Sequence, residues 1–151
     1  MGSGASGEKL NNKSRFNVLQ QEKFTYANRF LERHRTVGYF EVKVLLGAFY
    51  DQIAIGVTSN SSFPLGEFAG YQAHSVAYHA DDGKCYMEGT SFAYSSRYGS
   101  GDTIGCGVTA DKNIYFTING ILLPVISCQA TFIQDTQIFP IVSIRGKLTT
   151  F

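Results

Sequence analysis

The sequence predicts an all-β fold in which two antiparallel sheets pack as a sandwich. Apolar residues alternate with polar ones over several short segments, as where Ile104, Cys106 and Val108 share one face. Asn119-Gly120 supplies the two positive-φ residues of a two-residue hairpin turn. The chain also has 9 Tyr, 12 Phe and 16 Gly, a composition that favours strands and tight turns over helices.

Each predicted strand has a period of two or is bounded by turn residues. Phe40, Val42 and Val44 face inward, as do Ile53 and its alternate neighbours in the next strand. Segments 58–70 and 89–100 are predicted loops, 29–35 is a basic connector, and 81–83 is a turn. The predicted strands cover residues 16–19, 23–27, 39–46, 52–57, 75–80, 84–88, 101–108, 114–118, 121–125 and 137–144.

Size and charge exclude several classes of protein. The 151 residues suit one domain, predicted over 9–151, with 1–8 as a flexible leader or a cloning remnant. A net charge of +1 gives no basic field for nucleic acid, and no apolar run is long enough for a membrane helix. The first residues lack the apolar core of a signal peptide, and three cysteines make an odd count. Both features favour an intracellular, cytoplasmic protein with reduced thiols.

An ordered series of segments over residues 38–144 resembles one known family, the SPRY domain. Within that family, segment 78–83 is similar to Ran-binding scaffold proteins and to fungal adaptors of a ubiquitin ligase. The segments that carry the resemblance are Gly38-Tyr39-Phe40-Glu41-Val42, Ile53-Ala54-Ile55-Gly56-Val57, Gly70-Tyr71, His74-Ser75-Val76-Ala77-Tyr78-His79, Asp81-Asp82-Gly83, Gly101-Asp102-Thr103-Ile104-Gly105-Cys106-Gly107-Val108, Ile114-Tyr115-Phe116-Thr117, Asn119-Gly120 and Phe139-Pro140-Ile141-Val142-Ser143.

The resemblance implies a bent sandwich of concanavalin-like jelly-roll topology that binds proteins without a cofactor or a reaction. Loops at one edge would bind a short linear peptide, with the domain serving as a monomeric module of a larger scaffold or ubiquitin-ligase adaptor. Transferred by position, the pocket would include Arg33, Arg35, Thr58, Ser59, Tyr78, His79, Arg145 and Gly146. Tyr71 and Lys147 are added because exposed tyrosines and cations suit peptide contacts, and Asp81 is also included in the pocket.

A metal site and a catalytic site are weaker interpretations. His79, Asp81, Asp82 and Cys85 lie close in sequence, but a hairpin tip favours Asp and Gly for backbone reasons, and we expect no metal. We also expect His79 and Cys85 to face each other across that tip. Cys106 is predicted to be buried, where a thiol is inert, so we expect no enzyme activity.

Two other binding roles remain open from the sequence. Bent sandwiches also occur as lectins, and Tyr71 beside Asp81 and Asp82 could form a sugar site. A structural role in a larger assembly would instead cover a whole sheet face.

Overall fold

The computed structural model describes residues 38–45, 52–64, 66–109, 112–127 and 137–144, together with the strand pairing of 13–18 and 27–30. These residues form strands and connecting loops, and no helix among them is long and apolar enough to cross a membrane. The strands are β1 (Lys13–Val18), β2 (Ala27–Phe30), β3 (Tyr39–Val44), β4 (Ile53–Thr58), β5 (Ser75–His79), β6 (Lys84–Met87), β7 (Thr90–Ala93), β8 (Thr103–Val108), β9 (Ile114–Ile118), β10 (Ile121–Leu122) and β11 (Phe139–Ile144).

The strands form two sheets, which confirms the predicted sandwich. The first sheet has the order β1-β3-β8-β9-β10, and the second has the order β2-β11-β4-β5-β6-β7. Neighbouring strands are antiparallel except β1 and β3, which pair in parallel. A parallel pair needs a crossover between its strands. Between β1 and β3 the chain passes through β2 in the other sheet, and this passage is the crossover.

The core lies between the two sheets, where the predicted alternation places it. Phe40, Val42 and Val44 of β3 are buried there, as are Ile104 and Cys106 of β8. The second sheet contributes alternate residues of β4, β5, β6 and β11 to the same cluster. The period of two thus fixes the inner faces correctly.

The long loop between β4 and β5 covers the outer face of the second sheet. Strands β4, β5 and β11 are therefore buried on both faces. Phe63, Phe68 and Ala69 of the loop pack against Ala77 and other outer-face residues. Gly56 lies so close to β5 that a Cβ there would overlap the neighbouring backbone. Gly56 and Ala77 are small residues on this outer face, and their size allows the strands and the loop to pack closely.

Three local predictions were wrong. Segment 89–100, predicted as a loop, contains β7, which joins β6 through Glu88 and Gly89, both with positive φ. A short strand with all its residues exposed has no apolar alternation to reveal it. Strand β2 (Ala27–Phe30) takes in the first two residues of the predicted basic connector, whereas residues 23–26 of the predicted strand lie outside the described residues. Tyr78, not His79, pairs with Cys85.

Candidate peptide-binding surfaces

Strand polarity separates the predicted binding residues into two groups. Strand β4 is antiparallel to β5, so Thr58 pairs with the first residue of β5 and Ala54 pairs with His79. Thr58 and Ser59 therefore lie at one end of the second sheet, and the turn that carries Asp81 lies at the other. Ala54 and Thr58 are four residues apart on an extended strand, which corresponds to roughly 13 Å. A single compact pocket does not bring both groups together.

Thr58 is an internal anchor of the long loop. Its side chain is fully buried, donates a hydrogen bond to the His74 carbonyl at 2.7 Å and accepts one from the Asn60 amide at 3.0 Å. The Ser59 amide also donates to the His74 carbonyl, at 3.1 Å. The sequence assigned Thr58 to the binding pocket, but its burial and bonding make it a residue that shapes the loop. Ser59 is only half-buried and keeps surface for a contact.

Tyr78 belongs to the core, although the sequence assigned it to the binding surface. Its ring is fully buried against Tyr94, Tyr98 and Phe116, and its hydroxyl donates to the Ser96 carbonyl at 2.6 Å. Burial raises the pKa of the Tyr78 phenol above its ordinary value. Tyr98, a predicted loop tyrosine, is also buried and donates to the Tyr78 carbonyl at 2.8 Å. Both rings are therefore inaccessible to a partner in this arrangement.

His79 is buried beneath the long loop on the outer face of the second sheet. Its Nε2 lies 2.8 Å from the Ala69 carbonyl, and its ring stacks on Tyr86 with centroids 3.9 Å apart. Desolvation lowers the pKa of His79 to about 4, although the hydrogen bond to the Ala69 carbonyl and the charge of Asp82 both act to raise that pKa. The imidazole is therefore neutral at pH 7, and it supports neighbouring side chains without being accessible itself.

Tyr71 and Asp81 are the predicted residues that reach the surface. Tyr71 is 48% exposed, and its ring meets those of His79 and Tyr86 edge-on at 5.3 and 5.1 Å. Asp81 is half-buried, and Gln52 donates a 3.3 Å hydrogen bond to its carboxylate. Asp82 is exposed and accepts a 2.5 Å hydrogen bond from the Tyr86 hydroxyl. This outer-face patch, Tyr71 with Asp81 and Asp82, is held by a packed aromatic cluster.

The other predicted residues lie outside the described residues. Strand β11 ends at Ile144, which pairs with Ile53, and the Ala80 amide donates to the Ile53 carbonyl at 2.9 Å. The end of β11 therefore lies at the same end of the sheet as the 80–83 turn, with β4 between them. The undescribed predicted residues are Arg33, Arg35, Arg145, Gly146 and Lys147.

An apolar groove that the sequence did not predict opens at the side of the sandwich. It has a volume of about 650 Å³ and lies between β7 and the segment that follows β10. Phe92 is 38% exposed and Val125 is 51% exposed, and the Tyr94 hydroxyl donates to the Pro124 carbonyl at 2.7 Å. The lining residues are Met87, Glu88, Thr90, Phe92, Ala93, Tyr94, Pro124, Val125, Ile126 and Ser127.

The groove combines apolar side chains with an unpaired strand edge. Among the described residues, β7 is the outermost strand of its sheet, so one row of its backbone groups has no strand partner. Glu88 is the only charged residue of the groove lining. The sequence does hint at this groove, because Phe92 and Val125 are apolar residues in segments without apolar alternation. Only the fold, however, brings those two segments together.

The two described thiols offer no nucleophile. Cys85 and Cys106 are both fully buried in the core between the sheets. Burial raises the pKa of the Cys106 thiol well above its ordinary value, with a smaller contribution from Cys85. A buried, protonated thiol is inert. Cys128 lies outside the described residues.

Comparison with known proteins identifies the family. The SPRY domain family model matches residues 37–151. The chain belongs to the SPRY domain family. A solved human SPRY domain superposes with a TM-score of 0.70 at 28% identity, covering 83% of this chain and 82% of that one. Members of this family generally act as non-enzymatic protein-interaction modules.

Curated relatives place this domain in much longer proteins. The chain is 34% identical over 111 residues to the dual specificity protein kinase splA of Dictyostelium discoideum, covering 72% of this chain and 4% of the kinase. It is 33% identical over 113 residues to the Ran-binding protein M homolog of Arabidopsis thaliana, covering 72% and 23%. It is 38% identical over 91 residues to human SPRY domain-containing protein 3, covering 54% and 20%. The similarity thus concerns a fraction of each relative.

Proposed function

We propose that this SPRY domain binds a short, extended segment of a partner protein along the side groove. The observation that carries the proposal is the apolar groove beside the unpaired edge of β7. An extended peptide adds to such an edge through main-chain hydrogen bonds, while its alternate side chains enter neighbouring pockets. Such a peptide would place apolar residues against Phe92 and Val125.

The charge and rigidity of the groove define the expected peptide. Glu88, at the turn between β6 and β7, favours a peptide with Lys or Arg near that end. Strand pairing and the Tyr94–Pro124 hydrogen bond hold both walls before binding. A preformed site loses less entropy when it binds, so a few contacts give useful affinity. In a longer protein, the domain would act as an intracellular scaffold or ubiquitin-ligase adaptor without catalysis.

A displayed peptide library panned against the purified chain tests this proposal. We expect enriched peptides with alternating apolar residues, and we expect Val125→Asp to weaken their binding at least tenfold. Ile121→Asp is the matched control, because Ile121 is 65% exposed but does not line the groove. Equal loss in both variants, or no enrichment, would contradict the proposal.

The binding residues predicted from the sequence remain a second surface for the same test. Tyr71 and Asp81 are accessible on the outer face, and the end of β11, which Arg145 follows in sequence, lies at the same end of the sheet as the 80–83 turn. If the enriched peptides lose affinity with Tyr71→Ala or Arg145→Glu but not with Val125→Asp, the outer-face patch is the binding surface and the groove is not.

Carbohydrate binding is a second candidate function for the outer-face patch. An exposed ring at Tyr71 close to the carboxylates of Asp81 and Asp82 is an arrangement that suits a sugar. A glycan array probed with the wild-type chain and with Tyr71→Ala tests it. Glycans retained by the wild type and lost by the variant would favour this function over peptide binding, whereas an empty array would remove it.

A further inference from the structure

The turn between β6 and β7 determines the direction in which the main chain of β7 hydrogen-bonds. Its two residues, Glu88 and Gly89, both have positive φ, at 49° and 92°. A two-residue turn of this kind is closed by a hydrogen-bonded pair, which here is Met87 with Thr90. The Glu88 amide donates to the Ser75 carbonyl of β5 at 3.0 Å, on the opposite side of β6. The main-chain groups of Met87 therefore point to β7.

Alternation along β7 leaves two residues with their main-chain groups at the free edge. Phe92 lies two residues after Thr90 and bonds β6 in the same way, opposite Cys85. Ser91 and Ala93 occupy the non-hydrogen-bonded positions, so their N–H and C=O groups point away from β6. Both residues are exposed, and among the described residues no hydrogen bond to the main chain of either is found. The edge therefore offers two donors and two acceptors in one row.

The side chains of β7 alternate between the groove and the outer face. Residues paired directly across a sheet share a face, so Phe92 lies on the inner face with Cys85. Ser91 lies on the outer face with Tyr86, and Phe92 lines the groove whereas Ser91 does not. A peptide strand beside β7 therefore directs the side chain opposite Phe92 into the groove. It hydrogen-bonds through the main chain of the residues opposite Ser91 and Ala93.

We propose that the partner peptide pairs with β7 as an antiparallel seventh strand of the second sheet, hydrogen-bonded through the main chains of Ser91 and Ala93. Resting on the proposed function of the groove, this pairing adds the register and the direction of the bound peptide. All neighbouring strands of the second sheet are antiparallel, and antiparallel pairs are slightly more stable than parallel ones. The segment Thr90–Ala93 has no charged residue and no proline, which commonly protect a sheet edge from such pairing.

The direction of the peptide determines where its charged residue lies. Because β7 begins next to Glu88, an antiparallel peptide has its C-terminal end at Glu88. Glu88 is exposed and belongs to the groove lining, and one of its carboxylate oxygens accepts from the His74 amide at 3.0 Å. A Lys or Arg that follows the groove-facing apolar residues would pair with this carboxylate. A free C-terminal carboxylate would be repelled there, so an internal segment of the partner protein fits the site.

An N-methyl scan of a peptide enriched from the displayed library tests the register with the wild-type chain. N-methylation removes one main-chain donor of the peptide, whereas alanine substitution removes one side chain. In fluorescence anisotropy, N-methylation should weaken binding at least about tenfold at two residues spaced i and i+2. Alanine should weaken binding at the residues that alternate with them, so the two sets of sensitive positions do not overlap. A peptide with the same residues in reversed order should bind at least about tenfold more weakly.

Variants of Ser91 test the same contact from the protein side. Ser91→Pro removes the edge-facing amide and keeps the bonds to β6, since proline is tolerated on an edge strand where its nitrogen faces away from the sheet. It should weaken the peptide at least about tenfold with an unchanged circular dichroism spectrum. Ser91→Ala, the matched control, keeps the amide and should bind like the wild type.

The outcomes separate the strand pairing from the groove itself. Overlapping N-methyl and alanine sensitivity, equal affinity of the reversed peptide, or a folded Ser91→Pro chain that binds normally would each overturn the pairing. In those cases Val125→Asp would still weaken binding, and the groove would remain the binding site. Absence of an enriched peptide, or binding that Val125→Asp leaves unchanged, would overturn both.

Discussion

Replacement of Tyr78 distinguishes a core residue from a binding residue. Tyr78→Ala deletes a fully buried ring that packs against Tyr94, Tyr98 and Phe116. Truncation of a large buried ring costs about 3–5 kcal/mol, out of a total of about 5–15 kcal/mol for a typical domain. Tyr78→Phe keeps the ring and loses only the hydrogen bond to Ser96, which is worth about 0.5–1.5 kcal/mol.

Urea unfolding and thermal melts, both followed by circular dichroism, measure these losses. The free energy of unfolding should fall in the order wild type, Tyr78→Phe, Tyr78→Ala, with a loss of melting temperature on the order of 10 °C for Tyr78→Ala. Tyr71→Ala is the surface control, because its ring is 48% exposed and should cost less on truncation than the fully buried ring of Tyr78. A Tyr78→Ala variant within about 1 kcal/mol of the wild type would refute the core assignment.

Three further predictions follow from packing, backbone conformation and burial. Gly56→Ala should destabilise the protein by at least about 1–3 kcal/mol, because the added Cβ meets the backbone of β5, whereas Gly66→Ala meets nothing; thermal melts compare the two. Gly120→Ala should cost about 1 kcal/mol in the same melts, because Gly120 has φ 83°. Cys85 and Cys106 should resist iodoacetamide until urea unfolds the chain, as peptide mass spectrometry would show; rapid labelling of the native protein would contradict their burial.

The sheets were predictable because their residues repeat a simple pattern. The alternation of Phe40, Val42 and Val44, and that of the strands opposite, follows from burial of one sheet face. The turn at Asn119-Gly120 was equally predictable, since both residues have positive φ in the structure. These features depend on neighbouring residues in the chain, which is the information that one sequence carries best.

The binding surfaces were less predictable because they depend on register and on distant contacts. A slip of one residue in the expected β5–β6 pairing put His79 opposite Cys85, whereas Tyr78 holds that place. Because side chains alternate, the slip exchanges the core face for the outer face. The groove escaped prediction for another reason: Phe92 and Val125 belong to segments far apart in sequence that meet only after both sheets have formed.

Strand β6 separates the two candidate sites, so their effects should be independent. Cys85 points inward to the core and Met87 to the groove, whereas Tyr86 points outward to His79 and Asp82. Sites on opposite faces of a rigid sheet with no shared contacts generally give additive effects. Tyr71→Ala should therefore leave peptide affinity in the groove unchanged, and a peptide whose binding Tyr71→Ala weakens would have to bind the outer face instead.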